Sequence, residues 1–163
     1  MSPNPLLLVD VDGVISLFGF PSDERPEVRG LLVDGLPHLL SAGAAETLLG
    51  LAQDFDLAWC TGWEEKADEY LPHALGLPAE LPHLTFEHNP GRANGHWKLA
   101  AIDAFAGPDR AVAWIDDAHD EACEDWAAAR PGPTLLVGTV PWEGLLAHHG
   151  DALRAWAAGL AGR

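Results

Sequence analysis

The feature that most constrains the fold is an alternation of short apolar runs with longer segments of helical periodicity. The apolar runs are brief, and several contain Val, Ile, Trp or Phe, as buried strands do; they are 6–11, 56–60, 84–87, 111–115 and 134–137. The helical segments between and after them are 44–53, 64–75, 97–105, 119–129 and 145–160. Strand–helix alternation over the whole length predicts an α/β sandwich with a mostly parallel sheet.

One stretch, residues 16–40, does not fit the alternation. It contains Pro21, Arg25 and Pro26, and then the pair Asp34-Gly35 between two apolar runs. Asp-Gly flanked by apolar runs is typical of a two-residue hairpin turn. We therefore expect a short flap inserted after the first strand.

Size and charge limit the class of protein. The chain has 163 residues, the size of one domain, so residues 1–163 are predicted to fold as a single unit. The formal net charge of −16 repels nucleic acid and anionic membranes at long range, and it disfavours a dedicated DNA or RNA binder. It does not exclude a small basic pocket, so a nucleic-acid end remains among the candidate ligands.

The sequence also predicts a compartment. Cys60 and Cys123 form no CxxC pair, which suits free structural thiols in a reducing environment. No segment is apolar enough to span a bilayer, and no Lys or Arg precedes the apolar run 6–9 as it would in a signal peptide. We expect a cytoplasmic protein without a membrane partner.

Polar residues follow the strands that should lie together in the sheet. They are, in chain order, Asp10, Asp12, Thr61, Asp116 and Asp117, with Lys98 opening the helix before the fourth strand. Ligands of open α/β sheets bind at the carboxyl ends of the strands. Three or more carboxylates, a hydroxyl and an ammonium group should therefore converge on one edge of the sheet.

Such a cluster has definite chemistry. Several carboxylates at one edge repel each other unless a cation lies among them, and oxygen-only ligands suit Mg²⁺. A hydroxyl, exposed backbone N–H groups and a Lys suit phosphate oxygens. One Asp can then attack phosphorus, and a second can protonate the leaving oxygen and later deprotonate water.

Four motifs in fixed order carry a family resemblance: LLLVDVDGV, LAWCTG, the Lys98 segment and AVAWIDDAHD. Together they resemble the haloacid-dehalogenase-like (HAD) superfamily of phosphohydrolases over nearly the whole chain. The resemblance implies a three-layer Rossmann-like sandwich around a five-stranded, mostly parallel sheet. The sequence pattern WCTGW…WK…WIDD is also similar to that of a HAD branch of small bacterial proteins, some of them linked to RNA-repair proteins.

The resemblance implies catalytic roles. Asp10 would be the nucleophile, and Asp12 the general acid and base. Thr61 and the Gly62 N–H would hold phosphoryl oxygens, and Lys98 would steady Asp10 and the phosphoryl charge.

It also implies a Mg²⁺ site. The ligands would be Asp10, the backbone carbonyl of Asp12, Asp116 and a second acid of the fourth motif. That acid is ambiguous, because the segment satisfies both DD (Asp117) and DxxxD (Asp120). We favour Asp117.

The chain departs from larger family members in having no room for a separate cap domain. Residues 13–60 must hold the flap, a helix and a strand, and residues 62–97 must hold a helix and a strand. The site should be open, which suits a bulky phosphorylated substrate such as a protein or polynucleotide end. A dimer contact over the pocket is compatible with the same openness.

Flanking residues carry weaker predictions. Trp63 follows the second motif and would border the site, either stacking on the substrate or simply packing. Arg25 and Arg29 on the flap would meet substrate phosphate or form a solvated face. The histidines His88, His96 and His119 lack the spacing of a paired ligand motif.

The leading function is thus a Mg²⁺-dependent phosphohydrolase or, as a close variant, a phosphotransferase. A non-catalytic phosphate- and Mg²⁺-binding module is the alternative. A receiver-like signalling domain is weaker, because receivers place adjacent acids after the first strand, whereas here the acids are spaced DxD.

Overall fold

The computed structural model describes residues 3–87 and 96–162. Its strands are β1 (Leu6–Val9), β2 (Ser16–Leu17), β3 (Val28–Val33), β4 (Leu36–Ser41), β5 (Asp56–Trp59), β6 (Val112–Asp116) and β7 (Thr134–Gly138). Its helices are α1 (Ala42–Leu51), α2 (Glu65–Leu75), α3 (Leu99–Ala106), α4 (Glu121–Ala129) and α5 (Ala147–Ala161). None of the helices in these two ranges has the length and apolar character needed to cross a membrane.

A parallel sheet of four strands, in the order β5-β1-β6-β7, forms the centre. Alternate residues of β1 enter two separate cores: Leu7 and Val9 face one, and Leu6 and Leu8 the other. Helices α1, α2 and α5 contribute to the first core, and α3 and α4 to the second. The predicted α/β architecture with helices on both sides of a parallel sheet is confirmed.

The predicted five-stranded sheet is wrong, because 84–87 forms no strand. The chain meets β5 at the start of this segment, through an isolated bridge between Trp59 and His83 in which the Leu84 N–H donates to the Trp59 carbonyl at 2.9 Å. Further along, the Phe86 N–H donates to a Glu64 carboxylate oxygen at 2.8 Å and not to a neighbouring strand.

The predicted flap is a small antiparallel sheet of its own, in the order β2-β4-β3. Asp34 and Gly35 join β3 to β4 with φ of +50° and +79°, the positive values that a tight hairpin turn of this type needs. Asp34 pairs with Lys66 on α2, and the Arg29 guanidinium donates to the Ala74 carbonyl at 2.7 Å. The hairpin therefore lies against α2.

Candidate active site

The parallel register brings three strand ends together. Val9 lies beside Trp59 on one side and Ile115 on the other, so the next residues along, Asp10, Cys60 and Asp116, meet at the carboxyl edge. The Asp10 N–H donates to the Ile115 carbonyl at 3.1 Å, which continues the ladder to the first carboxylate. Asp10 and Asp116 are 6% and 1% exposed, so their charges are largely removed from water.

Lys98 compensates part of this buried charge. It directly precedes α3 and is 3% exposed. Its ammonium nitrogen lies 2.6 Å from Asp116 Oδ2, 3.2 Å from Asp10 Oδ1 and 2.9 Å from the Cys60 carbonyl oxygen. The structure thus brings Lys98, Asp10 and Asp116 together at the carboxyl edge of the sheet, as the sequence predicts.

A third carboxylate joins the group. Asp10, Asp116 and Asp117 each offer an oxygen within 4.8 Å of the others. Asp120 instead accepts the Cys123 N–H at 3.0 Å and caps α4. Of the two candidates for the second acid of the fourth motif, the structure thus brings Asp117 and not Asp120 into the cluster.

The cluster carries excess negative charge. Burial, opposed by Lys98, raises the pKa of Asp10 to about 8. Burial and the Asp116 charge raise the pKa of Asp117 to about 6. Burial disfavours the charge of Lys98, but Asp10 and Asp116 outweigh it and raise the pKa of the ammonium group. Three carboxylates therefore share one permanent cation within the described residues, which leaves an excess of two negative charges when all are ionised.

Gly13 allows the first loop to approach Asp117. Its φ is +79°, and a Cβ there would lie 2.3 Å from both Cγ and Oδ2 of Asp117. The Thr139 hydroxyl, at the end of β7, donates to the Gly13 carbonyl at 2.8 Å. The first and fourth motifs are thus in direct backbone-to-side-chain contact.

Replacing Gly13 with Ala should destabilise the protein by displacing Asp117. The matched control is Gly35→Ala, because Gly35 has the same φ of +79° with nothing within 4 Å of its Cβ position. Left-handed strain of about 1–2 kcal/mol is common to both variants. We expect Gly13→Ala to lose about 1–3 kcal/mol more in urea unfolding, from overpacking. Equal losses of unfolding free energy in the two variants would show that Asp117 moves away from the new methyl group at no cost in stability.

Thr61 and Gly62 follow β5 at the same edge. Thr61 is 1% exposed, and its Oγ1 accepts the Trp63 N–H at 3.2 Å, which leaves the hydroxyl hydrogen free to donate. Gly62 is exposed, and its N–H has no protein acceptor within the described ranges. A hydroxyl and a backbone N–H are thus available beside Cys60, whose carbonyl oxygen contacts Lys98.

Asp12 lies at the open rim and is held by residues from two other elements. Its side chain is 54% exposed. The Trp63 indole N–H is shared between its two oxygens, at 3.3 and 3.2 Å. His38, from the flap, brings Nδ1 to 3.9 Å from Asp12 Oδ1 and packs its ring edge-on against Trp63, with centroids 4.6 Å apart.

The other residues considered from the sequence form no ion pair with the carboxylate cluster within the described residues. The Arg25 guanidinium lies over the Phe20 ring, 4.6 Å from its centroid, and forms no ion pair with the cluster within the described residues. His96 and His119 place their rings edge-on against Trp114, and His88 lies outside the described residues. Phosphate binding by Arg25 stays a prediction.

Sequence reasoning missed His38 and Thr139. His38 reaches Asp12 because the flap folds back over α2, and a single His in the flap gives no local signal in the sequence. Thr139 follows β7, and the strand-end rule that selected Thr61 would also have found it.

Comparison with known proteins adds no family assignment. The sequence matches no model of a known protein family and no curated protein.

Proposed function

We propose that this protein is a Mg²⁺-dependent phosphohydrolase of the HAD type without a cap domain, which cleaves a phosphomonoester through an aspartyl-phosphate. The observation that carries the proposal is the buried Asp10–Lys98–Asp116 contact, with Asp117 beside it, at the carboxyl edge of a parallel sheet. Burying three carboxylates with a single ammonium group is costly, so a structural ion pair alone does not account for the arrangement.

The donor set fits a hard divalent cation. The group has only oxygen ligands, its carboxylate oxygens lie within 4.8 Å of one another, and its charge is undercompensated. Asp10, Asp116 and Asp117 would hold the ion, together with the Asp12 backbone carbonyl. When bound, Mg²⁺ would neutralise charge on the phosphoryl group and on the carboxylates.

The chain's own residues supply the covalent chemistry. An Asp10 oxygen attacks phosphorus, and the bond from phosphorus to the leaving oxygen breaks with its electron pair on that oxygen, which takes a proton from the Asp12 carboxyl. The Asp12 carboxylate then removes a proton from water, which attacks phosphorus and releases phosphate and Asp10. Thr61, the Gly62 N–H and Lys98 donate to the phosphoryl oxygens.

The exposed rim favours a large substrate. The Asp12 side chain is half exposed, Gly62 is exposed, and the flap lies along α2. A protein or nucleic-acid end bearing a phosphate would itself exclude water from such a site. The net charge of −16 favours contact with a single terminal phosphate over binding along the length of a polyanion.

The direct test is hydrolysis of 4-nitrophenyl phosphate with Mg²⁺ and with EDTA, combined with acid quenching to trap a phosphoenzyme. We expect metal-dependent turnover and an acid-stable, hydroxylamine-labile phosphoryl group on Asp10. Asp120→Asn is the matched control, because Asn caps a helix as well as Asp does, and it should retain turnover.

Two results would contradict the proposal. Mg²⁺ binding without turnover on aryl, nucleotide or peptide phosphates would favour the non-catalytic binding module. Turnover that persists in EDTA would exclude the metal from the reaction.

A further inference from the structure

A chain of contacts links the flap to the Asp12 carboxylate. The Trp63 indole N–H lies 3.3 and 3.2 Å from the two Asp12 oxygens. The His38 ring packs edge-on against the Trp63 ring, and His38 Nδ1 shares a hydrogen bond of 2.9 Å with the Ser16 hydroxyl. Asp12 is thus oriented by an aromatic donor whose own plane is fixed by a second ring.

The flap holds His38 in place through contacts within its own sheet and with α2. Ser16 lies on β2 and His38 on β4, two neighbouring strands of the flap sheet. The hairpin is joined to α2 by the Asp34–Lys66 ion pair and by the bond from Arg29 to the Ala74 carbonyl. Trp63 lies just before the same helix. The parts that surround Asp12 therefore form one connected unit.

We propose that Trp63, supported by His38, is a positioning residue for the general acid, a role that rests on the proposed phosphohydrolase function. A half-exposed Asp side chain has several rotamers, and only some of them can reach a leaving oxygen. The indole N–H can donate a hydrogen bond but cannot accept one, so it holds Asp12 through the oxygens of the carboxyl group. This role differs from stacking of Trp63 on the substrate.

The leaving group distinguishes these roles. A phenolate carrying nitro groups departs without a proton, whereas a poorer leaving group depends on proton donation from Asp12. Misplacing Asp12 should therefore slow the poor substrates most. A loss of stacking or of general structure should slow substrates of equal ring size alike.

The experiment compares kcat/KM for ring-substituted phenyl phosphates, from dinitrophenyl to unsubstituted phenyl, in the wild type and in Trp63→Phe. Phe keeps a ring against His38 but removes the donor. We expect a loss of about tenfold or more for phenyl phosphate and of less than about threefold for the dinitrophenyl ester, within the roughly 10²–10⁴-fold contribution of a general acid.

Two further variants keep the test decisive. Trp156→Phe replaces another half-buried Trp, which lies in α5 and stacks on Phe55. This variant should leave the dependence on the leaving group unchanged. His38→Ala removes both the ring that supports Trp63 and the imidazole nitrogen 3.9 Å from Asp12 Oδ1, and it should steepen that dependence in the same direction, by less. It also serves if Trp63→Phe folds poorly.

The outcomes separate this inference from the proposed function. Metal-dependent wild-type turnover with a uniform loss, or no loss, across leaving groups in both variants would overturn the positioning role alone. Absence of wild-type turnover on every ester would overturn both.

Discussion

Asp10→Asn should abolish turnover while leaving the metal-free protein at least as stable as the wild type. Removing a nucleophile costs at least about a thousandfold in rate. The Asn side-chain oxygen can still accept the bonds that Asp10 Oδ1 takes from the Val11 N–H and Lys98. The substitution also removes one of three clustered charges. An active-site group that is costly to bury is expected to oppose stability.

The stability gain should grow with pH. Burial raises the pKa of Asp10 from its ordinary value of 3.8 to about 8, so the folded chain binds a proton that the unfolded chain has lost. Stability from this group is therefore fully present below pH 3.8 and is lost as the pH rises through about 8. Denaturation in EDTA from about pH 5 to about pH 9 should show the variant gaining on the wild type.

Asp54→Asn is the control for this comparison, because Asp54 is exposed on the turn after α1. It should change neither turnover nor the dependence of stability on pH. If Asp10→Asn unfolds more readily than the wild type at every pH, then the attraction between Lys98 and the Asp10 carboxylate stabilises the fold by more than the burial of that carboxylate costs.

The fold was predictable where local pattern and long-range structure agree. Runs such as Leu6–Val9 are apolar on both faces, as a strand between two helix layers must be, and they are where the sequence places them. The segment 84–87 has only two apolar residues, Leu84 and Phe86, and the chain meets β5 there through an isolated bridge instead of a ladder. Pairing partners are a property of the whole chain, so pattern alone could not reject this strand.

The candidate site divides in the same way. Three residues lie at or just after the ends of strands, and the strand-end rule locates all of them without side-chain detail: Asp10, Thr61 and Asp116. The choice between Asp117 and Asp120 depends on which carboxylate caps α4, since both positions suit a cap by composition. The approach of His38 to Asp12 depends on how the flap folds back, which no spacing encodes.

Lys98→Met should have the opposite effect on stability from Asp10→Asn. The ammonium nitrogen contacts Asp116, Asp10 and the Cys60 carbonyl, and its removal leaves the buried Asp116 carboxylate without a cation, whereas Asp10, with its pKa raised to about 8, holds a proton at neutral pH. Breaking a buried pair from one side costs about 3–5 kcal/mol. We expect that loss in the free energy of unfolding, measured with urea in EDTA, together with loss of turnover.

Mg²⁺ should restore more stability to Lys98→Met than to the wild type, because the cluster then has a larger charge excess for the ion to neutralise. The double variant Lys98→Met with Asp116→Asn should recover part of the loss in EDTA, since it removes the nearest stranded charge. Lys66→Met is the matched control: Lys66 is the other Lys of the chain, its pair with Asp34 is solvent-exposed, and exposed pairs contribute little. An unfolding free energy of Lys98→Met equal to that of Lys66→Met, with no added response to Mg²⁺, would mean that the carboxylates are not held as charges at this edge.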